Sequence, residues 1–302
     1  MTTTTAVPAP GPVPFDKVFA QSWVVFRRNW IVALPPLIAF VVVIAAFGAF
    51  VAFAIIWAGV ALAKHAMPHG TVTGLLIGYL CLVAIAIFAF LWAYVAMFGM
   101  ADAAWTRGTA TFADGFTAFR ERAGAAFLAG VGMFGLLIVA LVLALPTLFV
   151  AVLAYPVFTM YVLPSVVVGR RGGFEAIGES FRLVLRFFGG SALTVLILYA
   201  IAYGISLIGT FAILPLEFSV MPTGSDTELH MPPIPLLLGS VLGYVLSLVV
   251  SIAYYGFVAT VLVGMYRDLI AQPEPIPAVT ANLPPPMRPP APPPPAAPPP
   301  QP

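Results

Sequence analysis

Residues 125–169 contain 45 consecutive positions without a charged side chain. As one α-helix this run would be about 68 Å long, against a bilayer hydrocarbon core of about 30 Å. Backbone polar groups in lipid must be satisfied within the segment, so the run has to be helical and has to double back on itself. Pro146 is the break nearest its middle and predicts two spans, 125–145 and 147–168, joined by a tight turn, with Pro156 and Pro164 kinking the second. Four further apolar runs, about 37–62, 75–100, 189–214 and 236–266, are each long enough to cross a bilayer. At 61% hydrophobic and 8% charged residues, with a mean hydropathy of +1.05, the chain is too apolar for a water-soluble domain. It reads as an all-α integral membrane protein of six transmembrane helices. The first apolar run begins too late and runs too long for a secretory signal core, so it is expected to remain as a span.

Three stretches share a second pattern. In 174–188, Phe174, Ile177, Phe181, Val184, Leu185 and Phe188 fall in one helical arc, and Glu175, Glu179, Arg182 and Arg186 in another. In 15–30, Phe15, Val18, Phe19, Trp23, Phe26 and Trp30 share a face that Lys17, Arg27 and Arg28 avoid. In 112–127, Phe112, Phe116, Phe119, Ala123 and Phe127 recur at helical spacing, with Glu121 and Arg122 off that face. Each predicts an interfacial amphipathic helix leading into a span. The membrane domain, about 15–270, then divides into three hairpin units of about 15–100, 111–169 and 174–266, each preceded by its surface helix. The best internal match sets Ala20-Gln21-Ser22-Trp23 against Gly178-Glu179-Ser180-Phe181. Residues 1–14 read as a disordered Thr, Ala and Pro tail, and 271–302, with sixteen prolines, as an extended polyproline II tail.

Basic residues stay on the cytoplasmic side of short loops. Lys17, Arg27 and Arg28, then Arg107, Arg120 and Arg122, then Arg170, Arg171, Arg182 and Arg186, and finally Arg267 and Arg288 fall on one side of the six-span scheme, and only Lys64 on the other. Both termini are therefore expected in the cytoplasm, with the surface helices on the inner leaflet. There Arg27, Arg28, Arg182 and Arg186 can meet anionic headgroups. A net charge of +2 spread along the chain gives no footprint for nucleic acid.

Polar side chains inside the spans form two stripes at i, i+4, i+7, i+11: Tyr199, Tyr203, Ser206 and Thr210 on the fifth, and Ser240, Tyr244, Ser247 and Ser251 on the sixth. Such hydroxyls either line a polar groove or bond across the helix pair and hold it together. Gly239 with Gly243, and Gly70, Gly74 and Gly78, mark close helix contact in the same way. His65, His69, His230, Asp226 and Glu228 fall on the outer side as a weak metal constellation, and the lone Cys81 sits in an apolar run. No ionisable residue is expected at mid-depth, and no nucleophile elbow, phosphate loop or zinc motif is written in the chain. Neither catalysis nor a cofactor is expected. The two functional readings are a scaffold, accessory or lipid-associated protein, and a transporter or lipid-translocating protein that uses the groove.

Ser22-Trp23 and Ser180-Phe181 before spans, Arg107-Gly108, Leu163-Pro164-Ser165, and the closing Met265-Tyr266-Arg267-Asp268-Leu269 together resemble one family. This is a group of uncharacterised bacterial six-helix membrane proteins related to the membrane domain attached to some glycerophosphoryl diester phosphodiesterases. The resemblance covers about 15–269 and implies a bacterial plasma-membrane protein. It does not imply the phosphodiesterase reaction, whose chemistry in those fusions belongs to a separate soluble barrel that this sequence lacks.

Overall fold

The computed structural model describes residues 15–63, 71–220 and 234–272. Among them there is no strand, and six helices are long and apolar enough to cross a membrane. The chain is an all-α polytopic membrane protein. The two tails, the loop with His65 and His69, and the segment with Asp226, Glu228 and His230 lie outside the described residues.

Helix α1, Phe15–Arg28, opens with Asp16 and closes with Arg27 and Arg28, charges that complement the helix dipole at each end. It stops at Asn29 (φ −126°, ψ 46°), and a 3-10 turn over Trp30–Ala33 leads into α2, Leu34–Ala63. Pro35 and Pro36 sit in the first turn of α2, where a missing amide hydrogen removes no helical bond. Helix α3, Thr71–Arg107, ends at Gly108, whose φ of 78° lets its amide close onto the Ala104 carbonyl in a left-handed cap. Thr111 and Asp114 then start α4: the Thr111 amide and hydroxyl both donate to Asp114 Oδ2, at 2.9 and 2.8 Å.

Helix α4 runs unbroken over Phe112–Val142. The second surface stretch and the third span are thus one rod, whereas the first and third surface stretches are separated from their spans. Nothing in 123–130 matches Asn29 or Phe187 in forcing a break. The chain reverses over residues 143–149, around Pro146, with Leu148 and Phe149 at φ 50° and 66°. The next helix returns alongside, and the Tyr155 hydroxyl donates to the Met133 carbonyl of α4 at 3.1 Å. This fourth span is α5, Val150–Thr159, and α6, Val162–Val167. The gap at Met160–Tyr161 lies three to four residues before Pro164, where the proline ring excludes the helical carbonyl and supplies no amide hydrogen. Pro156 is carried inside α5 without a break.

Helix α7, Gly173–Arg186, has the same length as α1, 14 residues, and stops at Phe187 (φ −128°, ψ 42°), nearly the conformation of Asn29. Both begin and end in one register, which aligns Ser22 with Ser180 and Asn29 with Phe187. Helix α8, Phe188–Val220, and α9, Ile234–Ala271, complete the bundle.

The leading helix of each unit packs against the second span of another: α4 on α3, α7 on α5 and α6, and α1 on α9. Those three contacts close a ring. Its core lies at the end of the bundle where the arginine-bearing segments meet, in two clusters around Met97, Met100, Val162 and Val263, and around Val18, Tyr161, Val184 and Tyr266. Away from that basic end the hairpins expose their apolar flanks, including Ile55, Ile56, Phe88, Phe211 and Leu242.

Candidate functional site

The basic end is held by side chains that bond one another. Asn29 donates to the carbonyls of Val25 and Gly108, each at 3.1 Å, and accepts from the Ala110 amide at 2.8 Å, tying the α1 break to the α3–α4 corner. The Trp105 indole donates to the Thr260 carbonyl of α9 at 2.8 Å. Arg267 donates to Asp102 Oδ1 through Nε and Nη2, at 2.9 and 2.5 Å, and Arg107 pairs with Asp114 at 2.5 Å. Glu179 accepts from the Ser165 hydroxyl and, at 3.2 Å, from Arg171 Nε.

Glu179 is only 9% exposed, so it does not share a solvated face with Glu175, Arg182 and Arg186. Periodicity alone places it there. The structure turns inward the face that carries Ala176, Glu179, Ser180 and Leu183, and leaves Phe174, Leu185 and Phe188 outside. α4 does the same, burying Gly115, Ala126 and Ala129 while Phe112, Phe116 and Phe127 stay exposed. Small residues let helix backbones approach closely, whereas large aromatics gain as much from lipid as from protein. Phe19, Trp23 and Phe26 of α1 are the partial exception, because their rings gather on Phe257 of α9 at 5.9–6.3 Å. Among the arginines assigned to headgroups, Arg27, Arg28 and Arg182 are exposed, while Arg186 lies over the Phe187 ring at 4.9 Å.

Farther from the basic end, α8 and α9 enclose a lateral cleft of about 490 Å³. Ser206, Thr210, Tyr244, Ser247 and Ser251 line it, joined by Tyr254 and Tyr255. Tyr199 and Tyr203 instead sit exposed on the flank of α8, and Ser240 is buried outside the cleft. Tyr254 and Tyr255 follow Ser251 by three and four residues, so extending the stripe by one turn finds them. Gly209 sets the cleft's waist, because a Cβ there would come within 2.7 Å of Ser247 Oγ. Thr210 bonds back to the Ser206 carbonyl at 3.1 Å and the Tyr254 hydroxyl donates to Leu198 at 2.6 Å. Among the described residues, the side chains of Ser206, Tyr244, Ser247, Ser251 and Tyr255 form no hydrogen bond. The stripes therefore do not lace α8 to α9; four of their hydroxyls, and that of Tyr255, are left free on the cleft wall.

The described residues contain no group of three or more His, Cys, Asp or Glu arranged to hold a metal ion. These features define a six-span helical membrane protein with a cross-bonded basic end and an uncharged hydroxyl-lined cleft. Comparison with protein-family models, curated proteins and solved structures gives no match.

Proposed function

We propose that the chain is a non-enzymatic protein of the bacterial plasma membrane, with both termini cytoplasmic, that serves as a scaffold, accessory or lipid-associated subunit. The observation that carries this reading is the state of the acidic side chains at the basic end. Asp102, Asp114 and Glu179 are each engaged by an arginine that joins two segments of the fold, which leaves them to hold helices together. Their placement resembles a frame more than a reaction centre. The exposed aromatics of α1, α4 and α7 suit a collar resting in the inner leaflet, with Arg27, Arg28 and Arg182 toward anionic headgroups. The resemblance to membrane domains that accompany a separate catalytic barrel is in keeping with an accessory role.

Extraction into polymer-bounded native discs, followed by mass determination, tests it. A scaffold or accessory subunit is expected in a defined complex larger than the 31.9 kDa chain. A solitary chain that moves labelled lipid across reconstituted vesicles would overturn the reading. Reporter fusions at Gly108 and Gly172 are expected to read cytoplasmic, and at Gly224 external. A second reading, a carrier of lipid or another amphiphile, is favoured by the α8–α9 cleft. Replacing the cleft residues Ser206, Tyr244 and Ser247 with apolar residues would abolish flux in a folded carrier and lower only stability in a scaffold.

A further inference from the structure

The cleft between α8 and α9 has a neighbour on the other side of α9. A second hollow of about 310 Å³ lies against α2 and α3, lined by Pro36, Phe40, Phe90, Tyr94, Leu248 and Ile252 among others. Ser251 and Tyr255 line both hollows, so the two meet along one ridge of α9. Their chemistry is opposite: the first wall is rich in hydroxyls, and the second is almost wholly hydrocarbon. Neither is lined by Lys, Arg, His, Asp or Glu. At 1.5 Å per residue, Tyr255 and Tyr244 stand about 18 and 35 Å along α9 from Arg267, which puts the polar wall in the half of the bilayer away from the arginines.

A hydroxyl in lipid without a partner is unfavourable, and membrane helices commonly relieve it by bonding back four residues, as Thr194, Thr210 and Thr260 do here. Ser206, Ser247 and Ser251 do not, which leaves them and Tyr244 as donors for a ligand that brings acceptors. With no cation on the wall, a phosphate would enter uncompensated. We propose that the paired hollows hold one uncharged lipid of the diacylglycerol class. Its ester and hydroxyl oxygens meet Ser206, Tyr244, Ser247 and Ser251, and an acyl chain crosses the Ser251–Tyr255 ridge to lie against Phe40, Phe90 and Leu248. This assignment rests on the same cleft as the carrier reading, but it requires binding only and no transport.

The test uses the full chain in nanodiscs of phosphatidylethanolamine and phosphatidylglycerol with a trace of diacylglycerol bearing a diazirine in one acyl chain. Photolabelling is expected on peptides containing Phe40, Phe90 or Leu248. It should fall at least fivefold in a Ser206→Ala, Ser247→Ala, Ser251→Ala variant and at least twofold in Tyr244→Phe, which removes one exposed hydroxyl and keeps the fold if the triple variant does not. Unlabelled diacylglycerol should compete, and phosphatidic acid with the same chains should not. Equal labelling in wild type and Tyr244→Phe, equal competition by phosphatidic acid, or label scattered over the flanks of α2 and α8 would overturn the assignment. Site-specific labelling without diacylglycerol flux in vesicles supports the site and removes the carrier reading alone.

Discussion

Helices α1 and α7 have the same length, the same terminal break and a fully buried serine at the same register, yet the two serines fare differently. Ser180 donates to the Phe158 carbonyl at 2.6 Å and accepts from the Tyr161 amide at 3.3 Å, filling the gap between α5 and α6. Ser22 Oγ is buried and has no partner. The neighbours explain it. Phe181 stacks on Phe158 at 4.8 Å, and Trp23, its counterpart, meets Phe257 at 5.9 Å. Aligning Phe158 with Phe257 also aligns Val162-Leu163-Pro164 with Val261-Leu262-Val263. Where α7 docks, proline has broken the span and freed backbone groups; where α1 docks, valine keeps α9 continuous and its carbonyls are already taken. The same side chain bridges a break on one side of the ring and is idle on the other.

The largest test of this contrast is at the α7–α4 crossing, where a Cβ on Gly173 would come within 2.6 Å of the Ala125 carbonyl and 2.7 Å of the Ala129 amide. Because both obstacles are backbone, Gly173→Ala is expected to destabilise by about 3 kcal/mol, read as a drop in melting temperature in detergent or nanodiscs. Glu179→Ala should follow at about 2 kcal/mol, since it strands Ser165 and the half-exposed Arg171, whereas Gln21→Ala at the matching exposed position of α1 should be close to silent. Ser180→Ala should cost about 2 kcal/mol by leaving two backbone groups unmet, and most of that cost should vanish in a Pro164→Val background if the break is what gives Ser180 its role. Smallest, and opposite in sign, Ser22→Ala should be neutral or stabilising by up to about 1 kcal/mol, because it removes a buried hydroxyl that bonds nothing. Equal losses for the two serines would end the comparison.

Length and hydropathy suffice to read six spans and the reversal near Pro146, because they depend only on how much uncharged chain a bilayer accommodates. Helical spacing shows that Ser206 shares a face with Thr210, and Tyr244 with Ser247 and Ser251; that the two faces meet in one cleft, and that Tyr199, Tyr203 and Ser240 stay out of it, is seen only in the structure. The orientation of each surface helix was not legible either. A helical wheel shows which residues travel together but not whether a face meets protein or lipid, and here the inward face of α7 is the one with Ala176, Glu179 and Ser180. The fusion of the second surface stretch into α4 was hidden for a related reason: an amphipathic stretch and an apolar one propagate as a single helix unless a residue such as Asn29 finds better partners outside it.

The bonds from Trp105 to Thr260 and from Arg267 to Asp102 join positions 155 and 165 residues apart. During synthesis the Asp102 carboxylate and the Trp105 indole, at the basic end of the first hairpin, therefore await partners that emerge only with the last helix. A chain ending before α9 would leave both groups at the basic end without these partners, so the final helix ties itself back to the first hairpin and fastens the ring.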